Sequence, residues 1–124
     1  MAPETLYDLF QRGSDLLEHG NFDQAAIPLA KAARLAPEKS SIREALGRAY
    51  FRTQRFREAA DEFAAVVERY PLNDFAQFCL GRSLTLCGRA AEARRHLAIA
   101  ASLQPDREDY RRYRDRAQVA AGES

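Results

Sequence analysis

The sequence is poor in the residue types that build metal and catalytic sites. Its only histidines are His19 and His96. Neither has a cysteine or carboxylate at a spacing that completes a ligand set. Glu92 and His96 stand four apart, but two ligands do not make a metal site. His19 and His96 are therefore expected on solvated faces. GxSxG, P-loop and GxGxxG patterns are all missing. Adjacent acids such as Asp61 and Glu62 would point to different faces of a helix and could not share a substrate. The expectation is a non-enzymatic protein with no catalytic, cofactor or metal site.

Other absences narrow the class further. No apolar run reaches 18 residues, which excludes a membrane-spanning helix. The opening Met1-Ala2-Pro3-Glu4 lacks the basic and then apolar order of a secretory leader, so a cytoplasmic location is expected. Net charge is almost absent too: 19 Lys and Arg against 18 Asp and Glu leave +1. No strong field steers the whole molecule to nucleic acid or an acidic membrane. Only two cysteines occur, Cys79 and Cys87. Eight residues apart in one helix, they would be separated by about 12 Å along the axis. A disulfide needs Cα atoms within about 7 Å, so they are expected as half-buried thiols. Lysine is nearly missing, with 2 against 17 arginines, while alanine reaches 23. That bias points to a GC-rich, bacterial genome.

What the chain does have is self-similarity. Gly13, Gly47 and Gly81 head a register that repeats every 34 residues without insertion or deletion. Ala25, Ala59 and Ala93 form a second column. Leu29, Phe63 and Leu97 form a third, and Pro37, Pro71 and Pro105 a fourth. Ala32, Val66 and Ala100 supply a further small or apolar column. Three helical hairpins follow, at about residues 6–39, 40–73 and 74–107, with a final segment at 108–121, all in a single domain spanning 1–124.

Each column has a physical reason. A glycine inside a helix costs about 1 kcal/mol in propensity, so it is expected where a second helix approaches closely. The alanine plays the same part on that second helix. The large residue at Leu29, Phe63 and Leu97 is expected to fill the space between neighbouring hairpins. The proline ends the second helix, because the residue before it is pushed out of the helical region. Gly20-Asn21, Gln54-Arg55 and Gly88-Arg89 make the short turns. Asp23 is expected to cap the second helix of the first unit. Pro28 falls inside that helix and removes one backbone hydrogen bond.

These columns resemble the tetratricopeptide repeat family over residues 6–107. The small, aromatic and proline positions recur in three consecutive units at the family's period. The chain departs from the family at the fourth position of each unit, often aromatic, where Leu9, Arg43 and Gln77 stand. It departs again at Gln54, which replaces a turn glycine. The resemblance implies an all-α fold: a right-handed superhelix, or solenoid, of three helix-turn-helix hairpins plus a capping helix. Terminal units of such stacks need a polar outer face. The segment 108–121 suits this, with Glu108 and Arg112 in the favourable i,i+4 order. Its Tyr110, Tyr113 and Ala117 share one face, and the tyrosines are expected to pack on the third hairpin.

The resemblance also implies a function, an adaptor or assembly module that holds a peptide of another protein in a concave groove lined by the first helices. Carried over by position, the groove would present Tyr7, Phe10, Ser14 and Leu17 from the first helix. The second would offer Ser41, Glu44, Arg48, Phe51 and Arg52. The third would offer Phe75, Phe78, Cys79, Arg82 and Leu86, and the capping helix Arg112, Tyr113 and Arg116. A family mode that clamps the acidic tails of chaperones needs Lys and Asn on the first helix, Asn on the second, and Lys and Arg on the third. Phe10 and Ser14, Ala45, and Phe75 and Cys79 stand there instead. Chaperone tails are therefore not expected as ligands. Aromatic walls and the arginines Arg48, Arg52 and Arg82 favour a segment with large apolar side chains and an acidic group. Alternatives are self-association and binding of single-stranded RNA. The latter is disfavoured because Glu108, Asp109 and Asp115 offset the arginines of residues 110–116.

Overall fold

The computed structural model describes residues 3–122. Its seven helices are α1 (Leu6–Glu18), α2 (Phe22–Leu35), α3 (Ser40–Arg52), α4 (Phe56–Arg69), α5 (Asp74–Leu86), α6 (Ala90–Leu103) and α7 (Glu108–Gly122). Among the described residues there is no strand. By packing, the chain divides into two compact units, Met1–Glu62 and Phe63–Ser124, with the boundary inside α4. In the first unit α1 packs on α2 and both meet α3. In the second, α5 packs on α6, and α6 on α7.

The glycine column does what its cost demands. A Cβ built on Gly13 would lie 2.5 Å from Leu29 Cγ, and one on Gly81 would lie 2.6 Å from Leu97 Cγ. Leu29 and Leu97 thus press against the glycine of their own hairpin, where the sequence suggested a filler between hairpins. The alanine column is as tight: Ala25, Ala59 and Ala93 are all fully buried. Burying these apolar faces, at roughly 25 cal/mol per Å², is what holds a helix pair together against its chain entropy.

The three turns share one hydrogen-bond pattern. After α1, the Asn21 N–H donates to the Leu16 carbonyl and the Gly20 N–H to Leu17. After α3, Arg55 donates to Tyr50 and Gln54 to Phe51. After α5, Arg89 donates to Leu84 and Gly88 to Thr85. This is the Schellman arrangement, which needs a left-handed residue just past the helix end. Gly20 and Gly88 supply it at φ 77° and 89°, and Gln54 is forced into it at φ 63°.

Helix starts are capped unevenly. Thr5 and Asp8 form a reciprocal capping box on α1. Asn73 accepts from the Ala76 N–H at the start of α5. Asp23 does not cap α2. Asn21 holds the cap position without a side-chain bond, and Asp23 lies in the first turn, where its charge still favours the helix dipole. α2 runs continuously through Pro28, which is itself buried.

Candidate interaction surface

Within α5, Phe75, Phe78, Arg82 and Leu86 follow i, i+3, i+7 and i+11 spacing and so share one face. Phe75 is 38% exposed and Leu86 45% exposed, with half-buried Arg82 between them. Phe78 is committed to packing. Its ring stacks on Tyr110 at 4.6 Å and meets Tyr113 edge-on at 5.5 Å. Tyr110 is buried, and its hydroxyl donates to Asp74 Oδ2 at 2.7 Å. Burial and the neighbouring carboxylate hold its phenol well above the ordinary range. α7 is therefore fastened to the third hairpin through its tyrosines. Tyr113, half-buried, carries the Arg82 guanidinium 4.0 Å from its ring centroid and that of Arg116 at 5.1 Å. Arg112 is exposed and pairs loosely with Glu108 at 3.4 Å.

In the first unit the equivalent faces are more mixed. Tyr7 is 73% exposed, Phe10 and Ser14 are half-buried, and Phe10 leans on the core. Leu17 is a correction: at 8% exposure it is a core residue and presents no side chain to a partner. On α3, Arg48 and Ser41 are exposed and Glu44 is half-buried. Phe51 and Arg52 lie at the turn end and are already engaged. Phe51 meets Phe56 edge-on at 5.2 Å, and the Arg52 guanidinium sits 4.3 Å over the Phe22 ring. Cys79 and Cys87 are both half-buried thiols.

A second constellation is absent from the sequence reading. At the fourth position of successive units, Arg43, Gln77 and Arg111 each donate to the carbonyl of a proline six residues earlier, respectively Pro37, Pro71 and Pro105. Two of them also reach a residue nineteen positions later. Arg43 pairs with Glu62 at 2.9 Å, and Gln77 Oε1 lies 2.7 Å from His96 Nδ1. Because the Gln77 amide spends its N–H on Pro71, its oxygen faces the imidazole, and Nδ1 must be the donor. His96 is thus buried and hydrogen-bonded, which overturns the expected solvated histidine. Burial, and secondarily Arg95, depress its pKa, and Glu92 opposes them. In the first hairpin the same slots hold Leu9 and Pro28, both buried and apolar. The shared 34-residue spacing of these positions was the available signal. The differing residue types concealed it.

Among the described residues, no group of three or more His, Cys, Asp or Glu could hold a metal ion. No helix is long and apolar enough to cross a membrane.

A family model described as tetratricopeptide repeat matches residues 10–74 and again 44–108. No curated protein matches the sequence. Solved structures do match in fold. "First TPR of Spaghetti (RPAP3) bound to HSP90 peptide SRMEEVD" is 18% identical over 94% of this chain and 93% of its own, with a TM-score of 0.85. "MamA MSR-1 C2" is 24% identical over 96% of this chain and 68% of its own, with a TM-score of 0.87. MamA from Desulfovibrio magneticus RS-1 is 19% identical over 95% and 67%, with a TM-score of 0.88. The helical hairpin architecture is common to all of them.

Proposed function

The chain belongs to the tetratricopeptide repeat family, and on that premise we propose that it is a protein-interaction scaffold that holds a segment of another protein against the faces of its first helices. The family's fold generally mediates protein–protein interaction. One observation carries the proposal here: Phe75 and Leu86 stay exposed at the two ends of α5, on the face that bears Arg82. Aromatic or aliphatic anchors beside a guanidinium suit a segment with a large apolar side chain and an acidic group. Arg48 and Tyr7 in the first unit offer the same chemistry. Arg52, Phe51 and Phe78 serve the proposal less directly, since other side chains hold them.

The acidic tail of a chaperone is a poor match. The clamp positions hold Phe10, Ser14, Ala45, Phe75 and Cys79, which bring no charge to a terminal carboxylate. That distinguishes the proposal from the ligand of the RPAP3 domain, the HSP90 peptide SRMEEVD.

Selection from a displayed peptide library on the purified chain tests the reading. Enrichment of sequences that combine a large apolar residue with Asp or Glu is expected. Phe75→Ala and Leu86→Ala should each weaken a selected peptide by about tenfold, and SRMEEVD should not bind. No enrichment, or selected peptides indifferent to both substitutions, would sink it.

A further inference from the structure

The turns that follow α2, α4 and α6 share a backbone and differ in their side chains. In each, an N–H donates to the carbonyl just before the proline: Lys39 to Ala36, Asn73 to Tyr70 and Arg107 to Gln104, all at 3.1 Å. Local geometry therefore asks the same of all three. The turn after α4 answers differently. It carries Tyr70, Leu72 and Phe75, which are 54%, 76% and 38% exposed. The matching positions are Ala36, Glu38 and Ser41 in the turn before it, and Gln104, Asp106 and Asp109 in the turn after it. Large apolar side chains thus stand in solvent where the same backbone accepts small or polar ones. Together they present roughly 300 Å² of apolar surface, within the range of functional patches on single chains.

The charge beside the turn points to the partner. Glu68 and Arg69 close α4, both exposed, and among the described residues neither forms an ion pair. The acid within the turn's other flank, Asp74, accepts from the Tyr110 hydroxyl at 2.7 Å. One unpaired carboxylate and one unpaired guanidinium cancel, so neither an acidic peptide nor an anionic surface is favoured. An apolar centre flanked by one charge of each sign is instead complementary to its own copy turned about a twofold axis, the commonest closed symmetry. We propose that the turn after α4 is a self-association surface. Two copies meet through Tyr70, Leu72 and Phe75, and Glu68 of each pairs with Arg69 of the other. The area is well under the roughly 800 Å² per partner of a stable complex, so the dimer is weak and forms only at high concentration. The proposed peptide site shares Phe75 with this surface but not Leu72, Glu68 or Arg69. Sedimentation involves no peptide and the library no second copy, so either reading can fail without the other.

Sedimentation equilibrium of the full chain up to about 1 mM tests this. The mass should rise from that of one 14.0 kDa chain toward that of two, with a midpoint on the order of 0.1 to 1 mM. Leu72→Glu gives this turn the residue that Glu38 supplies on the same backbone, so the fold should tolerate it. It should weaken association at least about tenfold, because like charges then face each other across the axis. Glu68→Arg and Arg69→Glu should each weaken association by about tenfold. An equimolar mixture of those two variants should associate as the wild type does, because each supplies the charge that the other lacks. Glu68 and Arg69 are exposed, so both variants are expected to fold, and melting curves check all three. A strict monomer up to about 1 mM would overturn the proposal and leave the turn to a different protein. So would a mass that climbs past two chains, a dimer indifferent to Leu72→Glu, or a mixture of the charge variants that stays monomeric.

Discussion

The first and third hairpins keep the same lock and fill the slot beside it with opposite chemistry. In both, a leucine of the second helix closes on a glycine of the first, Leu29 on Gly13 and Leu97 on Gly81. In both, a glycine past the first helix closes the same Schellman turn. Yet the slot at the fourth position holds Leu9 with Pro28 in one, and Gln77 with His96 in the other. The lock is a matter of distance, and only Gly tolerates it. The slot is a matter of satisfaction: an apolar pair leaves nothing unpaired, and a polar pair must complete its own hydrogen bonds.

Breaking the polar pair should have the largest effect. Gln77→Leu leaves His96 Nδ1–H buried without its acceptor and removes the bond to Pro71, at a cost of about 1–3 kcal/mol. His96→Leu strands the Gln77 oxygen at a similar cost. The double variant moves the third hairpin toward the apolar slot of the first. It should cost less than the two singles together, by at least about 0.5 kcal/mol. Chemical denaturation of the four proteins measures this. Additive costs would mean that the slot residues do not act as a pair.

The lock comes next. Gly13→Ala and Gly81→Ala each force a Cβ into a leucine Cγ, an overpacking cost of about 1–3 kcal/mol reduced by about 1 kcal/mol of helix propensity. A net loss of up to about 2 kcal/mol is expected at each, with the two alike because the geometry is alike. The 3.3 Å approach of the Ala93 carbonyl at Gly81 should make the third hairpin slightly the worse. Melting temperatures that rise on either substitution would show that the leucine gives way freely.

The slot also predicts a difference in pH response. The pKa of His96 is lower folded than unfolded, where it is ordinarily near 6.5. The unfolded chain therefore takes up the proton first as pH falls. The stability held by neutral His96 is complete above about pH 6.5 and is lost progressively below it, until the folded value is reached. His96→Leu should remove that component, so the stability gap between wild type and variant should narrow from pH 7 to pH 5. A constant gap would mean that the buried imidazole does not titrate with folding.

These distinctions separate what the sequence made legible from what it did not. The glycine, alanine and proline columns could be read because one residue type answers each constraint. So could the helix boundaries, which fall at Leu6, Ser40, Asp74 and Glu108, and the docking of α7 through Tyr110. The slot was unreadable because Leu9, Arg43 and Gln77 share a place and no chemistry. Two of its bonds run to positions nineteen residues away, beyond the reach of i,i+4 reasoning, and so His96 was expected in solvent. On the candidate surface, the family resemblance put Leu17 beside Tyr7 and Phe10, but Leu17 is packed into the core with Leu9, Ala25 and Leu29.

The smallest effect concerns the hairpin between these two. At the turn after α3, Gln54 occupies the left-handed position that Gly20 and Gly88 fill elsewhere, at φ 63°. A side chain there costs roughly 1–2 kcal/mol, while glycine gives back part of that gain through greater freedom in the unfolded chain. Gln54→Gly should therefore stabilise by up to about 1 kcal/mol, and Gly20→Gln and Gly88→Gln should destabilise by a similar amount. The bonds of the turn are the same in all three cases, and neither Gly20 nor Gly88 has a heavy atom within 4 Å of an added Cβ. Backbone strain is thus the main term that changes. One further contact bears on the middle turn: the Arg55 guanidinium lies 4.5 Å over the Tyr50 ring, the residue whose carbonyl the Arg55 N–H bonds. A neutral or destabilising result for Gln54→Gly would mean that this stacked pair, and not the residue at the left-handed position, governs the stability of the middle turn. Repeating the substitution in an Arg55→Ala background would then restore the expected gain.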